Sequence, residues 1–181
     1  MSKSLKTIQT FAKIGKVIAN IVFIFSIIGA IASIIAVSTI ASIQNLEFEG
    51  QTVVGLVESS GVNFVTTVFT CASSIVTCIG SAVVSKFAVV YFTNELEDGT
   101  PFTYTGAKEL LRLGILSVAI PVAISTVLGI AFIITKLFWP PLAEDAISGE
   151  PLSIGIGIML IVMSVVFKHG AELEEKLQID I

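Results

Sequence analysis

The chain reads as long apolar runs separated by short polar segments. Residues 17–43 and 152–167 carry no charge, residues 62–92 carry only Lys86, and residues 113–138 carry only Lys136 near their end. A bilayer core of about 30 Å takes roughly 20 apolar residues as a helix, and these four runs are read as spans. Lipid offers the backbone no hydrogen-bonding partner, so each run is expected to be helical. A transmembrane barrel would instead show alternating segments of about ten residues, and none is present. The pattern predicts an all-α integral membrane four-helix bundle, a single domain over residues 1–181. A cytoplasmic helical hairpin at about 93–112 and a C-terminal cytoplasmic helix at about 168–181 complete it.

Composition agrees with the pattern. Hydrophobic residues make up 54% and charged residues 13%, against about 25% charge in a soluble domain. Mean hydropathy is +0.97. Ten Lys and Arg stand against 14 Asp and Glu, so the basic surface of a nucleic-acid-binding domain is missing. The location of the charges then orients the spans. Lys3, Lys6, Lys13 and Lys16 precede the first span, Lys86, Lys108 and Arg112 flank the second connection, and Lys168 and Lys176 lie in the tail. With both termini in the cytoplasm, every basic residue except Lys136 is inside, as the positive-inside rule requires. The outer side then holds Glu47, Glu49, Glu58, Glu144, Asp145 and Glu150. The N-terminal run exceeds a signal-peptide core, which predicts a retained helix.

Several segments carry local signals. At 100° per residue, Leu5, Ile8, Phe11, Ala12, Gly15 and Ile18 share one side of a helix, and Lys3, Lys6, Gln9, Thr10, Lys13 and Lys16 the other. This reads as an interfacial helix suited to an anionic leaflet, or as a topology anchor. The second span is rich in hydroxyls: Thr66, Thr67, Thr70, Ser73, Ser74, Thr77, Ser81 and Ser85. Ser26, Gly29, Ala30 and Ser33 in the first span, and Ser153 and Gly157 in the fourth, allow close helix approach. Intramolecular packing is the plain reading, and a polar pathway the sharper one. Pro121 is expected to kink the third span and free a carbonyl near Ser117. Residues 46–54 alternate around Glu49-Gly50 and permit a short hairpin, though a two-stranded ribbon alone is marginal. Trp139 suits the outer interface, and Pro140 and Pro141 stop a helix.

Candidate chemistry is sparse. Cys71 and Cys78 are two helical turns apart, about 10 Å, too far for a disulfide. His169 is the one histidine. No span interior contains an acid, whereas ion and proton pathways usually carry one. No metal set, cofactor motif or paired base and nucleophile is visible. The sequence therefore predicts a non-enzymatic protein without metal or cofactor.

The connection after the second span is more distinctive. Gly99 follows a helical run and reads as its C-cap, Thr100-Pro101 blocks continuation, and Thr103 or Thr105 can cap the next helix. In the tail, Glu172 and Lys176 are spaced as an ion pair, and Leu173 and Leu177 share a face. The segments Phe92-Thr93-Asn94-Glu95-Leu96-Glu97-Asp98-Gly99-Thr100-Pro101-Phe102-Thr103, Leu110-Leu111-Arg112-Leu113-Gly114 and Phe167-Lys168-His169-Gly170-Ala171-Glu172-Leu173 resemble a bacterial family of four-span membrane proteins, domain-of-unknown-function family 2975. Thr105 and Gly106 depart from it, standing where such sequences often have a carboxylate and an amide. The resemblance implies a bacterial inner-membrane protein without assigned catalytic residues, often encoded beside a small helix-turn-helix regulator.

These readings converge on a regulatory or signalling membrane protein that holds a cytosolic protein, such as a helix-turn-helix regulator, and makes no direct contact with nucleic acid. The candidate partner-binding residues are Glu95, Leu96, Gly99, Pro101, Phe102, Thr103, Gly170, Glu172 and Leu173. Small-residue faces also permit a homo-oligomer. The competing reading is a small transporter or self-protection (immunity) protein, motivated by the hydroxyl-rich second span and Pro121.

Overall fold

The structure, a computed structural model, describes residues 3–43, 46–48, 51–52, 54–55, 63–99, 102–138 and 152–179. Four long helices dominate: α1 (Lys3–Ile43), α2 (Phe64–Asp98), α3 (Tyr104–Phe138) and α4 (Leu152–Ile179). All four are long and apolar enough to cross a membrane. At 1.5 Å per residue, the 35 residues of α2 and of α3 rise about 52 Å, well beyond a bilayer core. The apolar runs thus continue without a break into the polar segments beside them. The 93–112 region consists of the ends of α2 and α3 and the turn joining them. Residues 168–179 simply continue α4. Between α1 and α2, β1 (Glu47–Phe48) pairs antiparallel with β2 (Gln51–Thr52), the short hairpin that the alternation permits. The Trp139-Pro140-Pro141 segment lies outside the described residues, as does Pro101.

The chain divides into two compact units. Unit 1 comprises residues 1–25, 81–122 and 150–181, and unit 2 comprises residues 26–80 and 123–149. In unit 1, Tyr91, Leu110 and Leu113 form a buried cluster, with Phe87, Phe92, Leu160 and Phe167 packed against it. Much of the remaining contact is made through small residues. A Cβ on Gly114 would stand 2.9 Å from the Ile161 amide nitrogen and 3.0 Å from the Gly157 carbonyl oxygen. On Gly157 it would meet Val118 Cγ2 at 2.5 Å. Backbones of α3 and α4 therefore touch where neither has a side chain. Gly15 of α1 receives the ring of Phe92, 2.6 Å from where a Cβ would be.

In residues 3–18 the apolar side divides by size. Ala12 and Gly15 do face inward, with Ala12 only 2% exposed. Phe11 and Ile18, assigned to the same side, point out at 68% and 55% exposure. The inward stripe runs through Ala12, Ala19 and Ser26, seven residues apart, and is defined by small size. Against lipid, large apolar side chains gain nothing by turning inward, while small ones let helices approach.

In unit 2, Gly29 accepts the Cys78 sulfur at 3.0 Å from its absent Cβ, and Phe69 meets Phe132 edge-on at 5.9 Å. Both cysteines are free thiols. Asn63, unmarked in the sequence reading, caps α2 by accepting the Thr66 amide on Oδ1 at 3.1 Å. Four of the α2 hydroxyls turn into their own helix: Thr67 donates to Asn63 O, Ser73 and Ser74 to Thr70 O, and Thr77 to Ser73 O. Such back-bonding satisfies a hydroxyl without a neighbouring helix. Pro121 lies inside α3, which runs on to Phe138.

Gly114→Ala is expected to lower the thermal midpoint of the detergent-purified protein, at a cost of about 1–3 kcal/mol for overpacking. Gly129→Ala, on the same helix with nothing within 4 Å of its Cβ position, should leave the midpoint unchanged or raised. Equal effects would contradict the glycine-to-backbone contact.

Candidate functional site

The sequence candidates gather at one end of unit 1, and their positions follow from how two helices are stopped and restarted. Gly99 ends α2 with φ of +73°, and its N–H donates to Glu95 O at 3.1 Å. That left-handed conformation is open to glycine at little cost. Thr103 then starts α3. Its Oγ1 accepts the Gly106 amide at 2.9 Å, and its carbonyl accepts the Ala107 amide at 2.9 Å. The same hydroxyl donates to Asp98 Oδ2 at 3.2 Å, so one side chain joins both sides of the turn. Of the two threonines considered for the cap, Thr103 fills it.

Phe102 attaches this turn to α4. Its ring meets Phe167 edge-on, with centroids 5.5 Å apart. Its Cδ1 lies 2.6 Å from where Gly170 would carry a Cβ. Any larger residue at 170 would displace the ring, which accounts for a glycine within a helix. Tyr104 donates its hydroxyl to Glu175 Oε2 at 3.0 Å, a second bond from the start of α3 to α4. On the other flank, Gln9 of α1 approaches the Gly99 position at 3.8 Å. The beginning of α1 and the end of α4 thus lie beside the α2–α3 turn.

Beneath the turn is a polar group shared by α2 and α3. Asn94 Nδ2 donates to Glu109 Oε1 at 2.7 Å, while Glu109 Oε2 is buried and accepts no hydrogen bond. Tyr91, 5% exposed, is hydrogen-bonded to Glu95 one turn along. These carboxylates therefore meet neutral donors. Among the described residues no three His, Cys, Asp or Glu side chains are placed to hold a metal ion. His169 Nδ1 stands 3.7 Å from Glu172 Oε2. The Glu172–Lys176 ion pair expected from their spacing is not formed: Glu172 turns back to His169, which lies three residues earlier on the same helix face.

The structure thus brings together Glu95, Gly99, Phe102, Thr103 and Gly170, and gives each an intramolecular role. Leu96 is half-buried, and Glu172 likewise. Leu173 is 50% exposed and faces outward, as do Glu97, Asp98 and Glu175. Sequence reasoning missed Asn94, Tyr104, Glu109 and Glu175. Their partners lie 15 and 71 residues away, and no local spacing marks such pairs.

Comparison with protein-family models, curated proteins and solved structures gave no match.

Asn94→Ala removes the one donor to a partly buried carboxylate, and a loss of about 1–3 kcal/mol is expected. Adding Glu109→Ala should recover part of that loss, since the stranded carboxylate is then gone. A double-mutant cycle read from thermal midpoints checks this, with coupling of about 1 kcal/mol expected. Strict additivity would show the pair to be inert.

Proposed function

We propose that the chain is a multi-pass protein of the bacterial cytoplasmic (inner) membrane, without enzymatic activity, that holds a cytosolic protein at the turn end of unit 1. The observation that carries this reading is the joining of three separate chain segments there. Phe102 on Gly170, Thr103 on Asp98 and Tyr104 on Glu175 fix the turn against the end of α4. Residues fixed in that way offer a partner a surface whose ordering cost is already met. The charge distribution, with Lys13, Lys16, Lys108, Arg112 and Lys168 on this half of the chain, supports a cytosolic position for it.

The exposed residues of this end include Glu97, Asp98, Leu173 and Glu175, with Lys168, His169 and Lys176 beside them. A complementary partner would present charges of both signs around an apolar contact. The likeness of the 92–103 and 167–173 motifs to a family often encoded beside a DNA-binding regulator favours that class of partner. The transporter reading draws less support, because four of the α2 hydroxyls that motivated it, on Thr67, Ser73, Ser74 and Thr77, hydrogen-bond within their own helix.

Two measurements test the proposal. With Cys71 and Cys78 replaced by serine, Asp98→Cys should react with a membrane-impermeant maleimide only after the cells are opened. Labelling of intact cells would reverse the orientation. A photo-crosslinking residue at 97 or 173 should capture a cytosolic protein that the same residue at 130, on α3 in unit 2, does not. Glu97→Arg with Asp98→Arg should abolish the capture. No product from either position would defeat the proposed function.

A further inference from the structure

Helix α3 carries two cations on one outward stripe. Lys108 and Arg112 are four residues apart, which puts them on the same helix face with Cβ atoms about 5–6 Å apart. Both are exposed. The stripe continues through Ile115, Ala119 and Val122, all exposed, while Leu110, Leu113, Gly114 and Ser117 are buried on the opposite side. Arg112 and Val122 are ten residues apart, about 15 Å along the axis and about half of a bilayer core. The stripe is thus one leaflet long. Its positive charge sits at the end nearest the turn, and aliphatic side chains occupy the rest.

Glu109 lies between the two cations in sequence but not on their face. Its Oε1 takes the Asn94 amide of α2, and its Oε2 is buried. Among the described residues neither Lys108 nor Arg112 is ion-paired with a carboxylate. Glu109 still contributes to the field around them, so two cations and one anion leave a net formal charge of +1. Arg112 Cζ rests 4.8 Å from the ring centroid of Phe87 on α2. That contact steadies the guanidinium at this level of the helix.

A single net positive charge at the head of an apolar stripe complements a molecule with one negative charge and long apolar chains. Phospholipids whose headgroup adds no cation to the phosphodiester have that form, and basic groups at the membrane surface attract them. Arg supplies two parallel donors to phosphate oxygens, and Lys a compact point charge. We propose that Lys108 and Arg112 hold the phosphate of an anionic phospholipid, with an acyl chain lying along Ile115, Ala119 and Val122. The occupant is lipid and not free phosphate, because the rest of the stripe is open and aliphatic and gives a small anion no enclosure. The inference rests on the reading of the chain as a membrane protein, in either orientation, and needs no protein partner. The detergent experiment that tests it therefore stands whatever the labelling and crosslinking measurements give.

That experiment is native mass spectrometry of the full chain in a zwitterionic detergent, with phosphatidylglycerol as the anionic lipid and phosphatidylcholine as the comparison. Phosphatidylglycerol should be retained over phosphatidylcholine. The Lys108→Gln, Arg112→Gln double variant should weaken this retention by roughly tenfold. The Lys13→Gln, Lys176→Gln double variant loses the same formal charge on α1 and α4 and should stay within about twofold of the parent. Lys108→Arg, which keeps the charge and guards against a folding effect, should bind as the parent does. Equal losses in the two double variants would reduce the effect to net charge and overturn the site. So would unchanged binding in the 108/112 variant, loss of binding in Lys108→Arg, or displacement of the lipid by excess inorganic phosphate.

Discussion

Helices in lipid are not driven together by the removal of apolar surface from water, because lipid is as apolar as their side chains. What remains is contact at short range, through dispersion and a few hydrogen bonds. In unit 1 that contact is concentrated where a side chain is missing. Gly114 and Gly157 bring the backbones of α3 and α4 together, Gly15 receives Phe92, and Gly170 receives Phe102. Dispersion falls steeply with distance, so a single added methyl group at these positions separates surfaces over more than one residue. The large side chains, Phe11, Phe25, Met159 and Val165 among them, are free to face outward.

The same economy governs the polar groups. Ser164 bonds Ile161 O, and Thr93 bonds Val89 O, each within one helix. At the turn end Asn94, Thr103 and Tyr104 instead make hydrogen bonds from one chain segment to another. The residues that looked most like a recognition motif are therefore mostly engaged with one another. Glu95, Gly99, Phe102, Thr103 and Gly170 shape a surface, whereas Glu97, Asp98 and Leu173 are the groups it displays. A substitution in the first set acts through the fold, and one in the second changes only the surface.

Much of the architecture was legible in the sequence because membrane physics leaves few alternatives. Apolar runs of sufficient length marked the helices, Gly99 marked a helix end, Thr103 a start, and the alternation in residues 46–54 the ribbon of β1 and β2. Within the apolar side of α1 the inward and outward residues are divided by volume, which a pattern of polarity does not mark. Asn94 with Glu109, and Tyr104 with Glu175, were invisible because each pairing exists only after α2, α3 and α4 are side by side. Gly114 stood in a recognised motif, yet nothing local indicated that Gly157 and the Ile161 backbone would lie against it.

The seating of Phe102 on Gly170 also orders events in time. During synthesis α2 and α3 are complete well before α4 exists. Asn94 and Glu109 can meet as soon as those two helices pair. Phe102 and Tyr104 cannot, since Phe167, Gly170 and Glu175 are made later. Until then the turn holds an aromatic ring with no seat and a phenol with no acceptor, the kind of transiently open surface that chaperones attend. The arrival of α4 is therefore what seats Phe102 and Tyr104 at the turn end.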